Sequence, residues 1–152
     1  MKLFKTTPED CFKDLINYDY KTHYITDLLD DVDYADFNIA YIDENQKGKK
    51  GTILCIHGHP TWSYMWRHII PLAIAEDYRV IALDLPGFGK SDKLIEENFF
   101  SFVNYRNVLI NFIRKLDLKD IYLFLHEWGG TLGLTLPTVS YTHLTLPTNR
   151  EV

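Results

Sequence analysis

The chain is poor in cysteine, in positive charge and in long apolar runs, and each shortage closes off a class of function. Only Cys11 and Cys55 are present in 152 residues, so no disulfide framework and no cysteine-based metal spacing is available. Cys55 lies inside an apolar run, where a buried, inert thiol is expected. No stretch approaches the roughly 20 apolar residues needed to span a bilayer, and Met1 to Asp10 lacks the apolar centre of a secretory signal. No membrane partner is therefore expected, and a cytoplasmic location follows by elimination. Lys and Arg total 16 against 21 Asp and Glu, a net charge of -5, which argues against a nucleic-acid partner because phosphate binding depends on clustered cations. Lys47, Lys49 and Lys50 form the one basic cluster, set among Gln46, Gly48 and Gly51, and read as a solvated turn. No His, Cys, Asp or Glu cluster has ligand spacing, so neither metal nor cofactor is expected.

What the chain does have is core-forming material, 46% hydrophobic against 24% charged residues. Tyr24 to Leu28 and Phe37 to Ile42 read as short strands, and Gly51 to Ile56 (GTILCI) as a strand buried on both faces. Ser63 is placed to cap a helix with Trp66, Ile69, Ile70 and Ala73 on one side, kinked by Pro71. Arg79 to Leu83 reads as a strand, and a longer helix follows from Ser101, with Tyr105, Leu109, Phe112, Ile113 and Leu116 at helical spacing. Ile121 to Leu125 is a further strand, with helix-like sequence from Thr131 to Leu136. This alternation predicts the α/β class, with a mostly parallel central sheet and flanking helices.

The last residues behave differently. LTLPT occurs at Leu134 to Thr138 and again at Leu144 to Thr148, and Val139 to Val152 shows neither helical nor strand period. That tail resembles a translated sequencing-adapter read-through. The expected division is a partial domain over 1–138 and a non-native tail over 139–152, and His143 is given no catalytic role.

Three motifs fall just after expected strands: His57-Gly58-His59-Pro60-Thr61-Trp62-Ser63-Tyr64-Met65-Trp66-Arg67, Asp84-Leu85-Pro86-Gly87-Phe88-Gly89-Lys90-Ser91-Asp92, and Leu125-His126-Glu127-Trp128-Gly129-Gly130. Strand C-termini form the ligand-binding edge of an open α/β sheet. The last motif has the outline of a nucleophile elbow, in which a strained strand-to-helix turn presents one residue and its neighbours must be small. Gly129 and Gly130 meet that need, whereas Leu125 stands where many hydrolases have glycine. On its own, Gly-Gly after a strand is more often plain turn chemistry, and Glu127 alone would read as a solvated carboxylate favoured at a helix start.

Together, HGxPTWSYxWR, GFGKSDK and WGGTLGLTLP, in this order, resemble the haloalkane dehalogenase family over about Tyr24 to Pro137. The resemblance implies the α/β-hydrolase fold and hydrolysis of a halogenated alkane to alcohol and halide through a covalent alkyl ester. Glu127 then stands at the position of the family's nucleophilic Asp, Trp128 is the leading halide-binding residue, and the backbone N–H groups of His59 and Trp128 form the oxyanion cradle. A carboxylate suits this chemistry, because a serine would leave an inert ether whereas an ester can be hydrolysed. The resemblance also places an acid, a histidine, the cap and the C-terminal strands later in the family's chain than anything present here, so the polypeptide as written is expected to be inactive. Glu127 is one methylene longer than Asp, a displacement of ~1 Å that can cost on the order of 100-fold. His59 replaces a residue that is commonly Asn or Glu, and its side chain is a second halide-binding candidate beside the alternative of a solvent-facing turn histidine. His57 is expected to orient its loop, and Trp62, Tyr64 and Trp66 to be core aromatics, with Trp62 close enough to the loop to line a pocket instead.

Other readings are an epoxide hydrolase, which shares the HGxP loop and a carboxylate nucleophile, and a non-catalytic hydrolase-like fragment. A phosphate loop at Pro86 to Ser91 fails because Asp84 stands where the first glycine belongs. The expected partners are a small halogenated alkane and halide; substrate size and oligomeric state are not specified by the sequence.

Overall fold

The computed structural model describes residues 3–29, 34–95 and 99–136. Its elements are β1 (Phe4–Lys5), β2 (Thr22–Ile25), β3 (Ile39–Glu44), β4 (Thr52–Ile56), α1 (Ile70–Ala75), β5 (Arg79–Leu83), β6 (Lys93–Leu94), α2 (Phe102–Lys115), β7 (Ile121–Leu125) and α3 (Trp128–Gly133), with 3-10 turns at Glu9–Phe12 and Ser63–Trp66. Five strands form one sheet in the order β2-β3-β5-β4-β7, and β1 pairs with β6 in a separate two-stranded ribbon.

The sheet is mixed rather than simply parallel. β4 pairs in parallel with β5 and with β7, but β3 runs antiparallel to both β2 and β5, so it alone points the other way. The apolar runs of β4 and β5 have the unbroken character of doubly covered strands, and they are central. Leu54, Ile56, Ile81 and Leu83 pack on one face with α2 residues Val108, Leu109, Phe112 and Ile113. Cys55, Val80 and Ala82 pack on the other with Trp66, Ile70 and Ala73. Both cysteines are free, Cys55 buried and Cys11 exposed. Burial of the Cys55 thiol pushes it up to about 12, which makes it unreactive.

Arg79–Leu83 and Ile121–Leu125 form strands over the expected residues. The longer helix begins where expected, and Ser101 caps it, its hydroxyl accepting from Asn104 N–H at 3.3 Å. The helix expected from Ser63 is instead two pieces. A 3-10 turn ends at Trp66, and α1 starts only at Ile70, so Pro71 opens a helix where its missing N–H costs nothing, rather than kinking one. Ser63 is engaged elsewhere, its hydroxyl with Tyr18 at 2.5 Å. The β1–β6 ribbon had no period long enough to announce it. The expected boundary between 138 and 139 and the tail 139–152, with its second LTLPT and His143, lie outside the described residues.

Candidate functional site

The loops after β4, β5 and β7 converge at one end of the parallel strands, and close backbone approach locks them together. Gly129, at the start of α3, lies so near β4 that an added Cβ would sit 2.2 Å from Ile56 O and 2.6 Å from His57 O. A Cβ at Gly58 would meet the Glu127 carboxylate at 2.6 Å. Gly130 meets nothing among the described residues, so only the first of the two elbow glycines is sterically required here. Leu125, large where glycine is common, is accommodated by Gly133, since a Cβ there would press on the Leu125 side chain at 2.5 Å.

Glu127 occupies the turn between β7 and α3 with φ 49° and ψ -115°. A non-glycine residue held there costs on the order of 1–3 kcal/mol, and the surrounding contacts must impose it. α3 therefore begins at Trp128, earlier than the Thr131 expected from sequence. The carboxylate is exposed, yet its Oε2 accepts from His59 N–H at 2.8 Å and from Trp128 N–H at 2.5 Å. These are the two donors that the sequence assigned to an oxyanion cradle, and the longer Glu side chain reaches them. They hold the Glu127 carboxyl below its ordinary range, so it is ionised at neutral pH. Oε1 has no hydrogen-bond partner among the described residues.

His57 is fully buried, and its role can be read from its bonds. Nε2 accepts from Leu85 N–H at 2.9 Å, which leaves Nδ1 to donate to Gly58 O at 2.7 Å. Burial, with His126 and His59 nearby, pushes its pKa down to about 4, so it is a neutral strut between the β4 and β5 loops rather than a base poised at neutral pH. Asp84 is another strut. Its carboxylate accepts from Ser63 N–H at 2.7 Å and Lys90 N–H at 2.8 Å, while Ser91 Oγ donates to Asp84 O at 2.6 Å. Burial nonetheless raises the Asp84 pKa.

Beside Glu127 lies a cavity of about 580 Å³, lined by His59, Phe88, Lys93, Phe100, Tyr105 and Trp128 among others. The His59 ring stands edge-on to Phe88 at 4.9 Å, and Trp128 edge-on to Phe102 at 6.3 Å. The structure thus brings Glu127, Trp128 and His59 together. It keeps Trp62 off the cavity wall: that ring stacks on Tyr64 at 5.6 Å, and of the three aromatics in this loop only Trp66 is buried. The sequence reading missed Phe88, Phe100 and Tyr105 as cavity residues. Phe88 carried a signal inside GFGKSDK, whereas Tyr105 has the spacing of an ordinary core residue and Phe100 has no pattern.

Residues 51–139 match the family model described as alpha/beta hydrolase fold. A haloalkane dehalogenase of Psychrobacter cryohalolentis is 37% identical over 136 residues, covering 90% of this chain and 44% of that protein. The structure of haloalkane dehalogenase DpaA from Paraglaciecola agarilytica NO2, described as tetrameric, superposes with a TM-score of 0.87 at 44% identity, covering 93% of this chain and 46% of that one. A mutant epoxide hydrolase of Vigna radiata shares the fold at a TM-score of 0.68 and 22% identity, covering 83% of this chain and 36% of that one. The chain spans less than half the length of the dehalogenases it matches. Five strands in this order, the glycine-tight turn after β7 and the match over 51–139 agree: the chain belongs to the α/β hydrolase fold family.

Proposed function

We propose that this chain carries the nucleophile and leaving-group half of a haloalkane dehalogenase site. Glu127 Oε1 attacks the carbon bearing the halogen, the carbon–halogen bond breaks as the carbon–oxygen bond forms, and halide leaves with the bonding electron pair. The product on the protein is an alkyl ester of Glu127. Water attack on its carbonyl would place negative charge on the oxygen held by the His59 and Trp128 N–H groups, but the base that takes the water's proton is placed by the resemblance later in the family's chain than anything present here, so in this chain the ester is expected to accumulate rather than turn over. The departing halide is received by the Trp128 indole N–H, with the His59 ring as second donor, in an apolar cavity where such donors count for more than in water.

The observation that carries this reading is the Glu127 carboxylate held ionised by two backbone N–H groups at a positive-φ turn beside the cavity. Identities of 37% and 44% to dehalogenases, against 22% to an epoxide hydrolase, favour a halogenated alkane over an epoxide. The test is to incubate the chain with 1-bromohexane, measure bromide release and map the mass of the Glu127 peptide. The expected result is bromide release with one hexyl group gained on Glu127, abolished by Glu127→Gln and accelerated on the order of 100-fold by Glu127→Asp, which restores the shorter reach. Bromide release that survives Glu127→Gln, or no adduct at any concentration, would sink it.

A further inference from the structure

The geometry points to Thr61 as a positioning residue of this site: with His57 it grips the carbonyl of the Gly58–His59 peptide, and so aims and strengthens the N–H at the other end of that peptide on Glu127. The inference rests on the reaction proposed for Glu127 and names a further residue that serves it.

The Gly58–His59 peptide is held from both sides. Its N–H, that of His59, donates to Glu127 Oε2 at 2.8 Å. Its carbonyl, Gly58 O, accepts from His57 Nδ1 at 2.7 Å, from the Thr61 hydroxyl at 2.9 Å and from Thr61 N–H at 3.1 Å. The peptide is trans and planar, with N–H and C=O pointing opposite ways, so whatever fixes the carbonyl fixes the direction of the N–H. Donors on the carbonyl also polarise the amide, and each bond in such a chain strengthens the next by about 10–30%.

The two N–H groups on Glu127 Oε2 do different work. Trp128 is the next residue in the chain, so its N–H moves with the carboxylate. His59 lies 68 positions away, and its N–H ties the carboxylate to the loop after β4. It is also the leading influence holding the Glu127 carboxyl below its ordinary range, ahead of the Trp128 N–H. With Oε2 anchored there, Oε1 is aimed, and aim is what a near-attack geometry requires.

His57 and Thr61 grip the peptide from opposite sides. His57 is buried and pinned between Leu85 N–H and Gly58 O. On the outer side His59 and Pro60 are exposed, and the turn from Gly58 to Thr61 is closed by one backbone bond at 3.1 Å. The half-buried Thr61 hydroxyl closes it a second time. That hydroxyl has one proton and two acceptors in reach, Gly58 O and Met65 Sδ at 3.3 Å; a thioether is the weaker acceptor, so the carbonyl takes the proton. Branching at Cβ narrows the rotamers open to Thr61 and keeps the hydroxyl in place.

The test compares the full 152-residue chain with Thr61→Val, Thr61→Ala and Thr61→Ser, following the Glu127 side-chain carboxyl by carbon-13 NMR titration and its alkylation by 1-bromohexane. Thr61→Val and Thr61→Ala should move the Glu127 titration to higher pH and slow alkylation by on the order of 10-fold, the upper range for one neutral hydrogen bond. Thr61→Ser, which keeps the hydroxyl, should restore both. Val preserves the shape and Ala removes bulk, so if one fails to fold the other decides. His59 and His126, whose charges also act on Glu127, are the same in every variant. A hydroxyl that only stabilises the turn would lower the urea midpoint and leave the Glu127 titration unmoved, which overturns the inference. So does Thr61→Ser behaving like Thr61→Val. If the parent is not alkylated, the proposed reaction fails, and the titration comparison still decides the role of Thr61.

Discussion

The loop after β5 and the turn after β7 sit at the same end of the sheet and are held in opposite ways. In the first, Asp84, Ser91 and Asp92 are buried at 2%, 0% and 0% exposure, and each polar group is matched: Asp92 by Thr6 Oγ1 at 2.5 Å and by Asn38 N–H at 2.9 Å, Ser91 Oγ by Ala40 N–H at 2.8 Å. In the second, Glu127 and His126 are exposed, and order comes from backbone geometry: a positive φ, a glycine against the β4 carbonyls and two N–H donors on one carboxylate oxygen. Buried polar networks give rigidity because a lost partner leaves a desolvated group unpaired. A group meant to react must instead keep an oxygen free. On the proposed function, that difference separates a scaffold after β5 from a reacting group after β7.

The sharpest way to break the β7 side is at its glycines. Gly129→Ala puts a methyl group 2.2 Å from a backbone carbonyl that cannot move without distorting β4, and the expected loss is about 3 kcal/mol or more in urea unfolding, with loss of any Glu127 alkylation. Gly130→Ala, one residue on, enters open space within α3 and should stabilise by about 0.5–1 kcal/mol through helix propensity. Equal losses from both variants would show that the turn is held by something other than contact with β4.

The strut side should break with pH. The His57 pKa falls from its unfolded value of 6.5 to about 4, so between those values the unfolded chain binds a proton that the folded chain refuses. Stability from this group is complete above pH 6.5 and is lost as pH falls through the window, by up to about 3 kcal/mol. Urea midpoints measured from pH 7 to pH 4 should fall more steeply in the parent than in His57→Gln, which keeps an acceptor for Leu85 N–H without titrating. Parallel profiles would remove His57 from the strut.

These contrasts mark what could be read in the residues beforehand. The central strands were legible because double burial leaves unbroken apolar runs, as in Thr52–Ile56 and Arg79–Leu83. Glu127, Trp128 and His59 could be named together beforehand only through the resemblance carried by HGxPTWSYxWR and WGGTLGLTLP. The reversal of β3 was not, since strand direction depends on partners remote in the chain. Nor were Phe100 and Tyr105, whose place on the cavity wall is fixed by the loop near Gly87 rather than by any period of their own: Tyr105 OH donates to Pro86 O at 3.0 Å, and Phe100 closes on Gly87.

The smallest effect tests how the turn after β7 tolerates Leu125. Gly133→Ala directs a methyl group at the Leu125 side chain, 2.5 Å from one of its terminal carbons, but that neighbour is the far end of a flexible side chain and can swing away. Two terms oppose each other, a helix-propensity gain of about 0.5–1 kcal/mol and a repacking cost of about 1–3 kcal/mol, so the net expectation is a loss of about 1 kcal/mol. Leu125→Ala alone should cost about 2 kcal/mol by leaving a gap in a partly buried site. In the double variant the added methyl group fills part of that gap, so the losses should combine to at least about 1 kcal/mol less than their sum. A strictly additive cycle would mean that Leu125 and Gly133 do not share the space, and that the large residue before Glu127 is accommodated by movement of β7 instead.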